Sequence, residues 1–347
     1  MGASRGRAWL WLAAAALALL AGCGPAPAGE AFALSLLAVG DTGEPPRERP
    51  YGDPGLRVAE ALAAEDARQR VDGLVLLGDN FYPDGLRASE LKKRLRENVV
   101  GRFCRFVTLT PRGRGSLADA CPEELAANPV PLYVVLGNHD YDREESPSLQ
   151  RELVPEYVES WRMPSGAAQA YELGSGVSLV LVDSNPPAIE DAAAEVARAL
   201  AGSRGPWRIV AAHHPIAPAD EERDLAYERL MLRALERSGV PVQLFLAGHD
   251  HNLQAFAGEP PSAALHVVAG SGSDVRSLPA KRGAARKRLF GAESLGFARV
   301  DLRAGPEPRL LVTLVEVAQS PWPRRSRPAA RFEVSLDGAV RAVPAHP

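Results

Sequence analysis

Short apolar segments recur along the chain, and most lack the alternation of polar and apolar residues that is typical of a half-exposed strand. Each segment has strand length and is bounded by Gly, Asp or Asn, which predicts strands covered on both faces. These predicted strands are Phe32–Gly40, Leu74–Gly78, Leu132–Gly137, Val177–Val182, Ile209–Ala212, Val242–Ala247 and Leu265–Gly270.

Helices are predicted between these strands, because apolar residues there recur three and four positions apart. The predicted helices are Leu56–Arg68, Ser89–Val100, Ile189–Leu200 and Arg223–Arg237. The C-terminal third instead predicts antiparallel strands at Phe297–Leu302, Leu310–Val317 and Phe332–Leu336. Segments 43–54, 111–129 and 318–330 are rich in Pro, Gly and Arg and are predicted as loops or linkers. We therefore predict an α/β fold with one main domain at residues 31–317, then a linker and a C-terminal strand or tail at 318–347.

The N-terminus has the pattern of an export signal. A positively charged start precedes the apolar run Ala8–Leu20, which is shorter than the roughly 20 residues needed to span a bilayer. The run ends in LAGC, which resembles the lipobox of bacterial lipoproteins, where the cysteine is lipidated and begins the mature chain. We predict a signal peptide at 1–22, a lipidated Cys23 and a tether to residue 30. The protein is then exported and anchored on the periplasmic or cell-surface side of a bacterial membrane; the alternative is plain secretion.

Composition limits the partners and the use of cysteine. Of 347 residues, 46% are hydrophobic, which excludes a chain disordered throughout. Forty basic and 43 acidic residues give a net charge of -3, so no nucleic acid partner is expected. With Cys23 assigned to the anchor, Cys104 and Cys121 are the remaining pair. Export to an oxidising compartment favours a disulfide between them over two buried free thiols.

Polar residues with metal-binding chemistry follow five of the predicted strands. Carboxylates, an amide oxygen and imidazoles are ligands for hard and borderline divalent or trivalent metals. The loops at the carboxyl ends of strands in open α/β sheets meet in one crevice, so these motifs together predict a metal cluster. A glycine before four of the polar residues permits a tight turn. The motifs are GDTG at 40–43, GDNFY at 78–82, GNHD at 137–140, AHHP at 212–215 and GHDHN at 248–252.

This ordered set resembles the calcineurin-like metallophosphoesterases, and GDNFY, GNHDY and GHDHNLQ resemble the small purple, or tartrate-resistant, acid phosphatases. The resemblance extends from about Leu36 to Leu302 and implies a β-sandwich of two mixed sheets flanked by helices. By matching motifs, one metal would be bound by Asp41, Tyr82 and His251, a second by Asn138, His213 and His249, with Asp79 bridging both.

The resemblance also implies a reaction. A metal-bound hydroxide would attack the phosphorus of a small phosphorylated substrate, most directly a phosphomonoester. His139 would donate to the phosphate or the leaving group. Asp140 is expected either to orient the His139 ring or to cap its loop. Because a tyrosine binds metal as a phenolate, Tyr82 implies Fe(III) beside a divalent iron, zinc or manganese.

The sequence departs from the family pattern in three places. His214 replaces the usual aromatic residue after the histidine ligand, so either histidine of the pair is a candidate, and His213 is preferred. The family's further histidine between His214 and His249 is absent. Asp220, Glu221 and Glu222 are candidates to replace it as the acid; the alternative is a good leaving group that needs no acid. The stretch between Asp79 and Asn138 is also longer than in the small enzymes.

Other interpretations stay open. The same site would serve a phosphodiesterase or nucleotide hydrolase, and a non-catalytic metal-binding surface lipoprotein is the alternative from another class. The basic run Lys281–Arg288 would steer phosphate, contact anionic lipid or form a solvated loop.

Overall fold

Two mixed β-sheets packed face to face, with helices on their outer faces, form the body of the protein, as predicted. The computed structural model describes residues 31–46, 52–185, 189–216, 225–278, 287–319 and 326–345. The predicted signal peptide, Cys23 and tether lie outside the described residues, as do the acidic residues 220–222 and most of the basic run at 281–288. Among the described residues, no helix is long and apolar enough to cross a bilayer.

The first sheet has eight strands in the order β15-β14-β13-β12-β1-β2-β3-β4. Strands β1 to β4 run parallel, and the remaining pairs are antiparallel. The strands are β1 (Phe32–Val39), β2 (Gly73–Leu77), β3 (Leu132–Val135), β4 (Trp161–Arg162), β12 (Leu295–Arg303), β13 (Arg309–Val317), β14 (Ser326–Val334) and β15 (Val340–Val343). The C-terminal segment therefore adds two strands at one edge of this sheet.

The second sheet has seven strands in the order β11-β9-β10-β8-β7-β6-β5. The central strands β6, β7, β8 and β10 are parallel, and the strand pairs towards both edges are antiparallel. The strands are β5 (Ala168–Gly174), β6 (Val177–Val182), β7 (Trp207–Ala211), β8 (Leu244–Ala247), β9 (Leu253–Ala257), β10 (Leu265–Ala269) and β11 (Arg288–Ala292).

Burial on both faces explains the continuous apolar strands. In β1, Leu36 belongs to the core between the sheets, whereas Leu37 belongs to the core on the outer face of the first sheet. In β6, Leu179 and Val180 divide in the same way between the inner core and the outer face of the second sheet. Successive side chains point to opposite faces of a strand, so a strand with two covered faces needs apolar residues throughout.

Helices cover the two outer faces. The helices are α1 (Pro54–Arg68), α2 (Leu91–Arg94), α3 (Pro111–Leu117), α4 (Asn138–Tyr141), α5 (Ser146–Ser148), α6 (Ile189–Ala201) and α7 (Leu225–Ser238). Residues of α1 and α2 pack on the first sheet, and residues of α6 and α7 pack on the second. Asp53 caps α1, because its Oδ1 accepts from the backbone N–H of Gly55 at 2.7 Å.

The structure adds elements that the pattern did not indicate. Segment 111–129, predicted as a loop, contains α3, because Pro111 opens the helix and Thr110 caps it by accepting from the N–H of Gly113 at 3.0 Å. Strands β4, β5, β9, β11 and β15 were not predicted. The partly exposed edge positions of β5 and β11 carry mixed polar and apolar residues. Between Asp79 and Asn138, the structure joins Cys104 to Cys121 in a disulfide.

Candidate metal centre

The five motif loops follow β1, β2, β3, β7 and β8, and backbone hydrogen bonds tie neighbouring loops together. The N–H of Asp41 donates to the carbonyl of Gly78 at 3.0 Å, which joins two loops of the first sheet. The N–H of Gly248 donates to the carbonyl of His213 at 3.0 Å, which joins two loops of the second sheet. The carboxyl ends of strands from both sheets thus meet at one edge of the sandwich.

The first group of donor atoms surrounds the Tyr82 hydroxyl. The hydroxyl oxygen lies 2.7 Å from Asp79 Oδ2, 3.0 Å from Asp41 Oδ1 and 3.0 Å from His251 Nε2. His251 Nε2 is itself 3.3 Å from Asp41 Oδ1. Four side chains therefore present their donor atoms to one buried point, and they include the three predicted ligands of one metal.

The second group of donor atoms surrounds His213. Its Nε2 lies 3.1 Å from Asn138 Oδ1, 3.1 Å from His249 Nδ1 and 3.5 Å from Asp79 Oδ1. Its other nitrogen, Nδ1, lies 2.8 Å from the carbonyl of Leu77, and this contact fixes the ring. These are the predicted ligands of the second metal.

Asp79 connects the two groups. Its Oδ2 faces the Tyr82 group and its Oδ1 faces the His213 group, which is the arrangement that a bridging carboxylate requires. The backbone N–H of His139 donates to Oδ1 at 3.0 Å and helps to hold the carboxylate. The structure therefore brings all seven predicted ligands together, and their roles in binding metal stay predictions.

The backbone at three of these residues is left-handed. Asp41, Asp79 and His249 have φ of 58°, 53° and 68°, a conformation that costs energy for residues other than glycine and is found at functional sites. Glycine is required beside them: a Cβ at Gly137 would stand 2.1 Å from Asp79 Oδ1. The motif glycines thus leave room for close packing around the ligands. Three of the ligands themselves adopt the left-handed backbone conformation at the turns.

The site concentrates charge away from water. Burial, followed by the charges of Asp41 and Asp79, raises the pKa of Tyr82 far above its ordinary value. Burial opposes ionisation of Asp41, but the hydrogen bond from His251 and the charge of His213 outweigh it and lower the pKa of Asp41. Burial also acts against a charged His213, yet the charges of Asp79 and Asp41 raise its pKa. A phenolate at Tyr82 therefore requires a cation beside it.

The donor set fits a dinuclear metal centre. Two buried carboxylates, three imidazoles, an amide oxygen and a phenol converge as two groups that share Asp79. Asp41, Asp79 and His213 present donor atoms within 4.8 Å of one another, as do His213, His214 and His249. Oxygen and nitrogen donors of this kind suit iron, zinc or manganese.

Of the two roles left open for Asp140, the structure supports loop capping and not orientation of the His139 ring. Its carboxylate accepts from the backbone N–H groups of Gly137 at 2.9 Å and of Asn80 and Phe81 at 3.2 Å, so it ties the loop after β2 to the loop after β3. Burial and the charge of Asp79 raise the pKa of Asp140 to about 6. The His139 ring instead contacts the carbonyl of Pro83 and the carboxylate of Asp142.

His139 lies at the edge of the Tyr82 group. Its Nδ1 is 2.6 Å from the carbonyl of Pro83 and 3.3 Å from Asp142 Oδ2, and its ring centroid is 4.6 Å from that of Tyr82. The side chain is about one-third exposed, at 31%. The structure thus puts His139 beside the predicted ligands and within reach of solvent.

His213 and His214 point to different surroundings. His213 is fully buried among the predicted ligands, whereas His214 Nδ1 lies 2.8 Å from Ser184 Oγ. The His214 ring remains close, with its centroid 4.6 Å from that of His249. This geometry favours His213 as the ligand and puts His214 at the border of the centre.

Three side chains that the motifs did not indicate hold the ligand loops. Arg94 Nη2 donates to the carbonyls of Tyr82 at 2.7 Å and Gly43 at 3.1 Å. Asn98 Nδ2 also donates to the Gly43 carbonyl, at 2.9 Å, and Arg102 donates to the carbonyl of Thr42. All three are buried and stand four residues apart, so polar residues at helical spacing were the signal that could have found them.

Comparisons with known proteins agree with this geometry. Residues 34–253 match the calcineurin-like phosphoesterase family. Human tartrate-resistant acid phosphatase type 5 is 24% identical over 336 residues, covering 86% of this chain and 94% of the human protein.

Solved structures share the fold. Purple acid phosphatase PPD1 from yellow lupin (Lupinus luteus) has a TM-score of 0.58 and 14% identity, covering 87% of this chain and 53% of the lupin chain. GAP50, the anchor in the inner membrane complex of Plasmodium, has a TM-score of 0.59 and 17% identity, covering 87% of this chain and 88% of the Plasmodium chain.

The chain therefore belongs to the calcineurin-like phosphoesterase family. Within it, the protein is a hydrolase of phosphoester bonds, homologous to the tartrate-resistant and purple acid phosphatases. A dinuclear metal centre is expected for this family, and the Asp and His donors described above fit it.

We predict that Arg94→Met weakens metal binding about 10- to 100-fold, the usual effect of removing a group that orients a ligand. The substitution removes the hydrogen bonds to the carbonyls of Tyr82 and Gly43, so the loops that carry Tyr82 and Asp41 are no longer held. The measurement is metal content after dialysis against graded chelator, with the thermal midpoint recorded alongside. The control is Arg87→Met in the same segment, whose exposed side chain pairs with Asp84. Equal metal retention by both variants would contradict a positioning role for Arg94.

Proposed function

We propose that the protein is a phosphomonoesterase of the purple acid phosphatase type, with Fe(III) beside a divalent iron, zinc or manganese. The observation that carries the proposal is the position of the Tyr82 hydroxyl, 2.7 Å from the shared carboxylate of Asp79 and 3.0 Å from Asp41. The similarity to a human protein named as an acid phosphatase, over nearly its whole length, supports the phosphomonoester substrate.

When bound, two such metals lower the pKa of a water and clamp the oxygens of a phosphate. The residues of the chain set the geometry for this chemistry. Asp79 shares its two oxygens between the groups, the carbonyl of Leu77 fixes the ring of His213, and Asp140 holds the loops in register. Preorganised donors of this kind cost no reorganisation when the phosphorus is attacked.

His139 is the residue proposed to contact the transferring group. Because a carbonyl oxygen can only accept, the contact of Nδ1 with Pro83 means that Nδ1 carries a proton and donates it. Nε2 is then the ring nitrogen that remains for the phosphate or the leaving group, to which it can donate only when both ring nitrogens carry a proton. Packing of the ring against Tyr82 limits its rotation and keeps Nε2 in one orientation.

We also propose that the protein is exported and anchored by a lipid on Cys23. The LAGC sequence after a short apolar run supports this location. The disulfide between Cys104 and Cys121 suits an oxidising compartment. A small phosphorylated molecule outside the cytoplasm is then the substrate.

The purified protein should release phosphate from 4-nitrophenyl phosphate, and a chelator should abolish the release. Asn138→Ala and His249→Ala should lower the rate by orders of magnitude with loss of metal, since each leaves a metal under-coordinated. His139→Ala should lower kcat about 10²- to 10⁴-fold with full metal content. Phosphate release and metal analysis on the same samples separate the two effects.

The control for this series is Asp119→Ala, which removes an exposed carboxylate paired with Arg96 and should keep the rate of the unsubstituted protein. Normal turnover by both Asn138→Ala and His249→Ala would contradict the dimetal site. Loss of metal in His139→Ala would make His139 a ligand.

Tyr82→Phe should abolish a broad visible absorption band of the oxidised protein, because the band requires charge transfer from the phenolate to Fe(III). Absorption spectra with matched iron analysis test this. Tyr133→Phe, which removes the hydroxyl of a buried tyrosine in β3, should keep the band. Active protein without iron, or a band that persists in Tyr82→Phe, would contradict the iron assignment. A centre with a different pair of metals would then be the remaining interpretation.

Cys23→Ser should move the protein from the membrane fraction to the soluble fraction of the producing bacterium, since the acylated thiol is lost. Fractionation followed by immunoblotting measures the shift. A variant with both Cys104→Ser and Cys121→Ser should stay with the membrane, because it keeps the anchor. Unchanged sedimentation of Cys23→Ser would exclude the lipid on this cysteine as the anchor.

A further inference from the structure

A cavity of about 310 Å³ lies beside the candidate metal centre, and no motif indicated it. Asn138, a predicted metal ligand, and His214 form its border with the centre. Ala192 and Val196 of α6 and Met231 of α7 contribute apolar side chains to its wall. The cavity thus adjoins the site where the phosphate would bind, and its volume is at the lower end of the roughly 300–1,000 Å³ of ligand pockets.

Aromatic rings lead from the metal centre into this cavity. The centroid of His214 lies 4.6 Å from that of His249 on one side and 5.6 Å from that of Tyr227 on the other. Ser184 Oγ, 2.8 Å from His214 Nδ1, fixes the middle ring. Rings at these spacings make favourable offset or tilted contacts, and a further ring can join the row.

The cavity is suited to an uncharged group. Among the described residues that line it, the acidic one is Asp183, which is paired with Arg151, and the Tyr141 hydroxyl also lies against the Asp183 carboxylate. The N–H of Asn185 donates to Asp183 Oδ1 at 3.0 Å. Because these bonds already occupy the carboxylate, a cationic ligand gains little there, whereas an apolar ring gains from burial against the aliphatic wall.

We propose that this cavity, the ring pocket, holds the leaving group of the substrate, so that the preferred substrates are phosphomonoesters of compact aromatic alcohols. The inference rests on the proposed function. In the reaction, water forms the new P–O bond, the ester P–O bond breaks, and the proton released by the water balances the one taken up by the departing phenol. His214 is a positioning residue in this arrangement, because its ring forms the passage between the metal ligands and the pocket.

The test compares two phosphonates that cannot be hydrolysed, phenylphosphonate and methylphosphonate, by calorimetric titration of the metal-loaded protein. Phenylphosphonate should bind at least about tenfold more tightly, the usual effect of burying one additional apolar group of this size. Ala192→Phe should bring the two affinities close together, because the added ring fills the pocket. Ala201→Phe, at the exposed end of the same helix, should keep the preference.

Ala192→Leu provides a smaller filling residue, and thermal unfolding of each variant identifies any that do not fold. The inference is overturned if the unsubstituted protein binds both phosphonates equally, or if folded Ala192→Leu and Ala192→Phe keep the full preference. Hydrolysis of phenyl phosphate and acetyl phosphate is measured separately. If neither compound is hydrolysed, the proposed function is contradicted. If both are hydrolysed but the two phosphonates bind equally, only the ring pocket is contradicted.

Discussion

The shared carboxylate of Asp79 is the constraint on which the rest of the site depends. It is buried where the loops of the two sheets meet, and each of its oxygens faces a different group of donor atoms. To face both groups, Asp79 adopts a left-handed backbone conformation, and Gly137 must lack a Cβ to leave room for the carboxylate. The β-sandwich is stable enough to tolerate such local strain because its strands are buried on both faces.

Charge explains why so many polar groups tolerate burial together. Asp41, Asp79 and Tyr82 would repel one another as anions, and the histidines beside them compensate only in part. Metal cations resolve this conflict, since they replace repulsion among the ligands by attraction to a common centre. The residues of the site therefore fit the dinuclear metal centre that is expected for the calcineurin-like phosphoesterase family, to which the chain belongs.

Two further sets of residues surround the predicted ligands. Arg94, Asn98 and Arg102 come from the long segment between two motifs and hold the loops of Asp41 and Tyr82 through backbone carbonyls. On the other side, His214 and Ser184 border a cavity with an aliphatic wall. One set of contacts fixes the metal ligands, and the other shapes the space beside them.

The sequence alone determined most of the central strands, the longer helices and the types of donor atom. The unalternated apolar runs indicated strands with two covered faces, and the polar residues after them indicated a metal cluster, because both signals are local in the chain. The tertiary structure decided the contacts between distant segments: Asp140 holds two loops and does not orient His139, and Arg94 supports Tyr82. It also decided that His213 faces the ligands while His214 faces Ser184. Adjacent residues look equivalent in a sequence pattern, and only the packing of two sheets and their loops gives each a different environment.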